Sequence, residues 1–290
     1  MQVVDPHIHF WDLDAVPLPW LATPGDAYSG DNRRLPRRFT PAELQQHADG
    51  IEVLKVVNVE ANAGDPQAET RWLQGLADHG GPPHGIVALV DLSQPDAGAR
   101  LAAHAQFRNL RGIRQILNVH AEPRYDYVGR HYMGEPQWRA NLALLAQHRL
   151  SFDLQIYPTQ AALAVEVITA QPQTAFIVNH AGMCERTRHG WRQWRDGLRL
   201  LAAQPNVSVK ISGLAMFDHH WTVESLRPYV LETIESLGAS RCMFASNFPI
   251  DGLHSRYGAL WHAYADIVAD SSADERHALF VGNAERIYRI

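Results

Sequence analysis

The sequence predicts an α/β fold of the (β/α)8 type, a TIM barrel forming a single domain over residues 1–290. Three observations predict it. Eight short apolar runs alternate with helix-like segments along the chain, as a parallel sheet with crossover helices requires. The runs are nearly continuous in apolar residues, as strands covered on both faces must be. Most of them end in a polar or ionisable residue, and a barrel carries its chemistry at the carboxyl ends of its strands. A chain of 290 residues, 46% of them hydrophobic, suits a barrel, for which ~250 residues is typical. An open doubly wound sheet is the structural alternative, weakened because no strand is followed by a Gly-rich phosphate loop.

The first strand opens the chain and leads into Asp5-Pro6-His7-Ile8-His9-Phe10-Trp11. A period of two sends His7 and His9 to one side. There they can share a metal ion or converge on one polar substrate atom; the plain alternative is a surface pair near a frayed end. Residues 12–38, with Trp20 and Tyr28, read as a loop too polar for a helix and long enough for a lid or pocket wall. Thr40, Pro41 and Glu43 read as N-cap, N1 and N3 of a helix with a capping box.

The second strand runs from Val53 to Glu60, and Asp65-Pro66 opens the helix that carries Trp72 and Leu73. The third spans His84 to Asp91 and the fourth Leu110 to Ile116, followed by a second long loop from Leu117 to Gln137. The fifth is Ser151 to Tyr157, closed by Pro158; the sixth is Thr174 to His180. An amphipathic helix over Trp191 to Gln204 separates these from the seventh strand, Val207 to Gly213. The eighth is Arg241 to Asn247, closed by Phe248-Pro249, and a helical tail starts at Ser272.

Net charge is −5 and the pI 6.3, with no Lys/Arg block, so nothing in the chain attracts nucleic acid or an anionic membrane. No apolar run approaches the ~20 residues that span a bilayer, and no signal-like segment opens the chain. Cys184 and Cys242 are too few for a disulfide framework, and the default is a reduced, cytoplasmic enzyme. Of the 16 histidines, His47, His84, His104 and His148 read as solvated. A small-molecule substrate is the expected partner, and a homodimer the default assembly.

The polar residues at the strand ends are His7, His9, Glu60, Arg114, Gln155, His180, Lys210, Asn247 and, shortly after, Asp251. Inward polar groups in a barrel are either satisfied or functional. Glu60, Arg114 and Lys210 read equally as a structural ion-pair network, Gln155 as a backbone partner, and Asn247 as a turn residue. Their coincidence at one end of successive strands favours a site.

Six segments together carry a family resemblance: Asp5 to Trp11, Gly112-Ile113-Arg114, Asn179-His180-Ala181-Gly182, Lys210-Ile211-Ser212-Gly213, Ser246-Asn247-Phe248-Pro249 and Gly282 to Tyr288. In this order they resemble the amidohydrolase-2 family of the amidohydrolase superfamily of TIM-barrel hydrolases. The branch they look most like is the lactonase-type one, with fuconolactonases, sulfomuconolactonases and 2-pyrone-4,6-dicarboxylate lactonases. The resemblance covers essentially the whole chain. It implies that His7, His9 and His180 line the site and contact a metal or the substrate carbonyl. It makes Arg114 a substrate-binding arginine, and Gln155 and Lys210 polar rim positions.

Two departures matter. Metal-binding superfamily members usually present a histidine on strand 5 and an aspartate at the strand-8 loop, where this chain has Gln155 and Asn247. Asn cannot act as the general base that the family aspartate usually is. Zinc needs three or four good donors, so the expectation is a site without metal. The alternative is one divalent ion, zinc or manganese, at His7 and His9, with Glu60 as substitute carboxylate. The mechanism this implies is opening of a sugar-acid or aromatic-catabolism lactone. His7, His9 and His180 would polarise the carbonyl, Arg114 as a bidentate fork and Lys210 would hold a carboxylate or ring substituent, and Asp251, or failing it Glu60, would activate water. Asp251 reads equally as an Asx-turn residue. Rivals are a metal-dependent decarboxylase or amidohydrolase on the same barrel, and a barrel that binds a small molecule without turning it over. Trp11, Trp20, Arg124, Tyr125, His131, Tyr132 and Arg186 are the loop residues from which a substrate pocket would be built.

Overall fold

A computed structural model of the chain describes every residue except Pro24 and Arg186. Its centre is one parallel sheet whose strands neighbour each other in chain order. They are β1 (Gln2–Ile8), β2 (Glu52–Val59), β3 (Gly85–Leu89), β4 (Leu110–Ile116), β5 (Ser151–Gln155), β6 (Phe176–Val178), β7 (Val207–Ile211) and β8 (Cys242–Phe244). The sheet closes on itself just beyond β8. Asn247 N–H donates to the His7 carbonyl and His9 N–H to the Phe248 carbonyl, both at 2.8 Å, and Ile8 pairs with Phe248 in parallel. The predicted barrel is the fold of the chain.

Each strand is followed by a helix: α1 (Pro41–His47), α2 (Pro66–Asp78), α3 (Ala97–His104), α4 (Pro136–Leu142), α5 (Ala161–Thr169), α6 (Arg188–Ala202), α7 (Val223–Leu237) and α8 (Tyr257–Ile267). The local chemistry that starts them is the one read from the sequence. Thr40 and Glu43 form the capping box of α1, and the Asp65 carboxylate caps α2 by accepting from Gln67 and Ala68 N–H. Both satisfy backbone donors that a helix start leaves open. The helices lay apolar faces on the sheet: Leu101, Leu198, Leu226 and Leu260 are buried against strand residues such as Val87, Ile113, Val209 and Phe244. Each such leucine contributes roughly 1.5–3 kcal/mol by leaving water. The tail is helical from Ala273 to Tyr288, interrupted by a π turn over Ala278–Gly282. No helix among the described residues is long and apolar enough to cross a membrane.

The strands from β6 to β8 end earlier than the apolar runs suggest. The reason is backbone geometry. His180, Gly213 and Asn247 all have positive φ, at 54°, 65° and 57°, which takes each out of the extended ladder. The polar ends of those runs therefore stand on turns just above the sheet. His104 also differs from expectation: it is buried, with Nδ1 3.0 Å from the Thr70 hydroxyl, so it packs α3 on α2 instead of facing water.

Candidate active site

At the carboxyl end of the barrel a cavity of about 210 Å³ has His9, Arg114, Gln155, His180 and Asn247 among the residues that line it. His7, Glu60, Lys210 and Asp251 do not line it. They are fully buried directly behind those five. A larger groove of about 580 Å³ lies elsewhere, between Phe39, His47 and Tyr257, and none of the candidate residues lines it.

Three imidazoles meet at one side. The His7 ring lies 5.0 Å from that of His9 and 4.6 Å from that of His180, centroid to centroid. For His7 and His9 this is the same-side placement that a period of two requires. His180 arrives from the turn after β6, whose left-handed residues His180, Ala181, Gly182 and Met183 are held where Trp194 Nε1–H donates to the Ala181 carbonyl at 2.6 Å. All three rings are neutral near pH 7. Burial lowers each first; the next cause is Lys210 for His7 and Arg114 for His9 and His180, and His9 is pushed down to about 3. The His9 Nδ1 lies 2.8 Å from the Val59 carbonyl. A carbonyl only accepts, so Nδ1 carries the proton and Nε2 keeps its lone pair. The Asn247 side chain is within hydrogen-bonding range of the same ring.

The arginine side is built on β2, β4 and β5. Arg114 Nε donates to Glu60 Oε1 at 2.5 Å, Nη2 to the Glu60 carbonyl at 2.6 Å and Nη1 to Gln155 Oε1 at 3.0 Å. Gln155 in turn donates to Asn118 Oδ1 at 3.1 Å. The fork expected to grip a substrate is thus partly spent inside the protein. What Arg114 keeps for a ligand are its remaining Nη hydrogens. Glu60 is corrected from substrate contact to support, because its other oxygen accepts from Asn62 N–H at 2.7 Å and it has no exposure.

Lys210 is corrected in the same way. Its ammonium donates to Asp153 Oδ1 at 2.5 Å, stands 3.4 Å from His7 Nδ1 and lies 5.0 Å from the centre of the Tyr288 ring. Burial lowers it to about 8, against the pull of Asp153. Asp153 is also bound by Tyr288 OH, at 3.0 and 2.9 Å, and by Asn179 Nδ2 at 3.0 Å. The sequence reading passed over Asp153. Strand parity would have found it, since it precedes the inward Gln155 by two residues in β5.

Asp251 accepts from Asn247 Nδ2 at 2.8 Å, and burial raises its carboxyl to about 7. It sits behind Asn247 with no surface on the cavity. The Lys210 to Gly213 segment serves the histidines: Ser212 Oγ lies 3.0 Å from His180 Nδ1. A side chain at Gly213 would put its Cβ 2.6 Å from that same nitrogen.

The walls come from the two long loops, as their length suggested. Trp11, Trp20, Tyr28, Arg124, Tyr125 and Tyr127 line the cavity, with the Tyr28 and Tyr125 rings 5.9 Å apart. Trp20 Nε1–H is tied to the Ala61 carbonyl at 2.8 Å, and Tyr28 lies across Phe217 at 5.4 Å. His131 and Tyr132 stand away from the cavity, Tyr132 under the Arg130 guanidinium. Arg186 lies outside the described residues.

Among the described residues no three His, Cys, Asp or Glu side chains are grouped to hold a metal ion. Glu60, the carboxylate expected to help, is consumed by Arg114. A lysine rather than a carboxylate faces His7.

Fold and site together define a (β/α)8 barrel with a cavity and a cluster of buried polar groups at the carboxyl ends of the strands. The chain belongs to the amidohydrolase family, whose profile matches residues 4–290, and it is a hydrolase of that superfamily. It is 40% identical to the uncharacterized protein y4mH of Sinorhizobium fredii, over 100% of this chain and 99% of that one. It is 27% identical to the L-fucono-1,5-lactonase of Burkholderia ambifaria, over 99% of this chain and 95% of that one. In structure it is similar to an amidohydrolase from Burkholderia multivorans solved with bound zinc, with a TM-score of 0.84 and 25% identity over 100% of both chains.

Proposed function

We propose that this chain is a lactonase that opens a sugar-type lactone without a metal ion. The observation that carries the reading is the state of His9. With Nδ1–H committed to the Val59 carbonyl, Nε2 is an unprotonated acceptor at the cavity, while the family's strand-8 aspartate position holds Asn247. Water placed against it attacks the lactone carbonyl and leaves its proton on Nε2. The tetrahedral oxyanion accepts hydrogen bonds from the free Nη hydrogens of Arg114, supported by the polarity of His180. The ring C–O bond then breaks, and the proton on Nε2 passes to the leaving alkoxide. The products are a hydroxyl group and a carboxylic acid, which loses its proton to solvent as the carboxylate leaves, so one water is consumed and the base is regenerated.

Burial and Arg114 make His9 a weak base in the free protein. The oxyanion that develops beside it supplies the countercharge an imidazolium needs. A base of this strength suits an already reactive carbonyl, a lactone or activated ester, better than an amide. The aromatic walls and the small cavity fit one sugar-sized ring, and the likeness to L-fucono-1,5-lactonase over nearly the whole chain points the same way.

The test is turnover of a panel of aldonolactones by wild type, His9→Gln and Asp251→Asn, with chelator present. We expect His9→Gln to lose about 10²–10⁴ in kcat/KM, the usual scale of general-base catalysis, and Asp251→Asn to stay within about tenfold. The wild-type rate should lack an acid limb near pH 7. A limb there, lost in Asp251→Asn along with activity, would return the base to Asp251.

A further inference from the structure

Two observations about His7 remain unused. Its Nε2 is buried and without a hydrogen-bond partner, which is a costly state for a ring nitrogen. Its Nδ1 faces Lys210 Nζ at 3.4 Å. An ammonium has three N–H donors and no lone pair, so it can meet a nitrogen only where that nitrogen accepts. Asp153 and Tyr288 hold the ammonium in that place. The neutral His7 ring must then carry its proton on Nε2.

His9 is the reverse, because its Nδ1 meets a carbonyl. The two histidines of one His-X-His segment, with ring centres 5.0 Å apart, are therefore opposite tautomers. A divalent ion shared between them needs a lone pair from both rings.

We propose that Lys210 is a positioning residue that locks His7 as its Nε2–H tautomer, turning a His-X-His pair suited to metal into one donor and one acceptor for an oxygen. The assignment rests on geometry alone. Its use rests on the hydrolytic reading above: the unpaired Nε2–H of His7, buried behind His9 and His180, is a donor that an oxygen would meet only by entering between those two rings. Through Lys210, the Asp153–Tyr288 pair governs which ligand the histidines take, a neutral or anionic oxygen over a cation.

The first readout is a long-range ¹H–¹⁵N correlation spectrum of the full chain near pH 7, with His7 assigned by its loss in His7→Gln. We expect Nε2–H on His7 and Nδ1–H on His9. Nδ1–H on His7 overturns the proposal. The second is calorimetric titration with zinc alone. Wild type is expected to bind none stoichiometrically in the micromolar range. Lys210→Met, free to turn the His7 tautomer over, gains at least about tenfold in affinity, and the gain is lost again in Lys210→Met/His7→Gln. One zinc per wild-type chain that disappears in His7→Gln overturns it. If Lys210→Met does not fold, the wild-type spectrum and wild-type titration decide. Opposite tautomers in a protein that opens no lactone would support the lock and sink the lactonase reading. Lactone opening with Nδ1–H on His7 would do the reverse.

Discussion

Arg114–Glu60 and Lys210–Asp153 are two buried ion pairs at the same end of one barrel, each with a 2.5 Å contact. Arg114 and Asp153 are even register partners on neighbouring strands. Yet Arg114 lines the cavity and Lys210 does not. The difference comes from side-chain chemistry. Guanidinium has five N–H donors on a long planar head, so it can bind Glu60 and Gln155 and still present hydrogens to a ligand. Ammonium is a compact point charge, and here it is divided among Asp153, His7 and the Tyr288 face. One pair is arranged to touch what enters the cavity, the other to set the state of a histidine. Burial of both is costly in isolation, and neither is a cheap source of stability.

Removing one partner is the strongest way to break that comparison. Asp153→Ala leaves Lys210 buried and unpaired, and we expect a loss of about 3–5 kcal/mol in urea denaturation. Arg114→Met is expected to cut kcat/KM by about 10²–10³, the scale of losing an oxyanion donor. The companion double variant Arg114→Met/Glu60→Gln, which removes the stranded carboxylate charge, should regain stability but not turnover. Recovery of turnover would mean that Arg114 acts only as a strut.

A smaller effect sharpens the histidine side. Gly213→Ala would push on His180 Nδ1, and the alanine would also be strained at a φ of 65°. Displacing His180 by an ångström should lower kcat about a hundredfold while KM moves little. An unchanged kcat would show that His180 tolerates the shift and is not a reacting neighbour.

The smallest effect is a pH slope. Burial raises Asp251 from its ordinary 3.8 to about 7, so the folded chain holds that proton more tightly than the unfolded one. The stability it contributes is complete below about 3.8 and is lost as pH rises through about 7. In Asp251→Asn that slope disappears. The variant's melting temperature relative to wild type should therefore improve between pH 4.5 and pH 7.5, roughly the window set by those two values. A gap that stays constant would mean Asp251 is ionised in the fold throughout.

Much of the architecture was legible because it is written in local pattern. Apolar runs of strand length, the Thr40 capping box and the Asp65-Pro66 helix start depend on residues near each other in the chain; both helix starts appear where expected, and every run holds a strand, though β6 to β8 stop short of the predicted ends. The polar residues at the strand ends were legible as a group, since a barrel gathers those ends on one face. Their roles were not. Glu60 and Lys210 looked like groups for a ligand, and each is instead satisfied by a partner from a distant strand.

By itself, the sequence determined the barrel, the family and the placement of His7 and His9 on one side, because strand periodicity and segment order carry all three. Only the tertiary structure decided which of the polar residues reach the cavity, and which proton each histidine keeps. That decision rests on contacts such as Val59 with His9 and Asp153 with Lys210, 50 and 57 residues apart in the chain. A hydrogen-bond partner at that separation leaves no periodic trace in either strand, and depth along a strand is set by how neighbouring strands stagger.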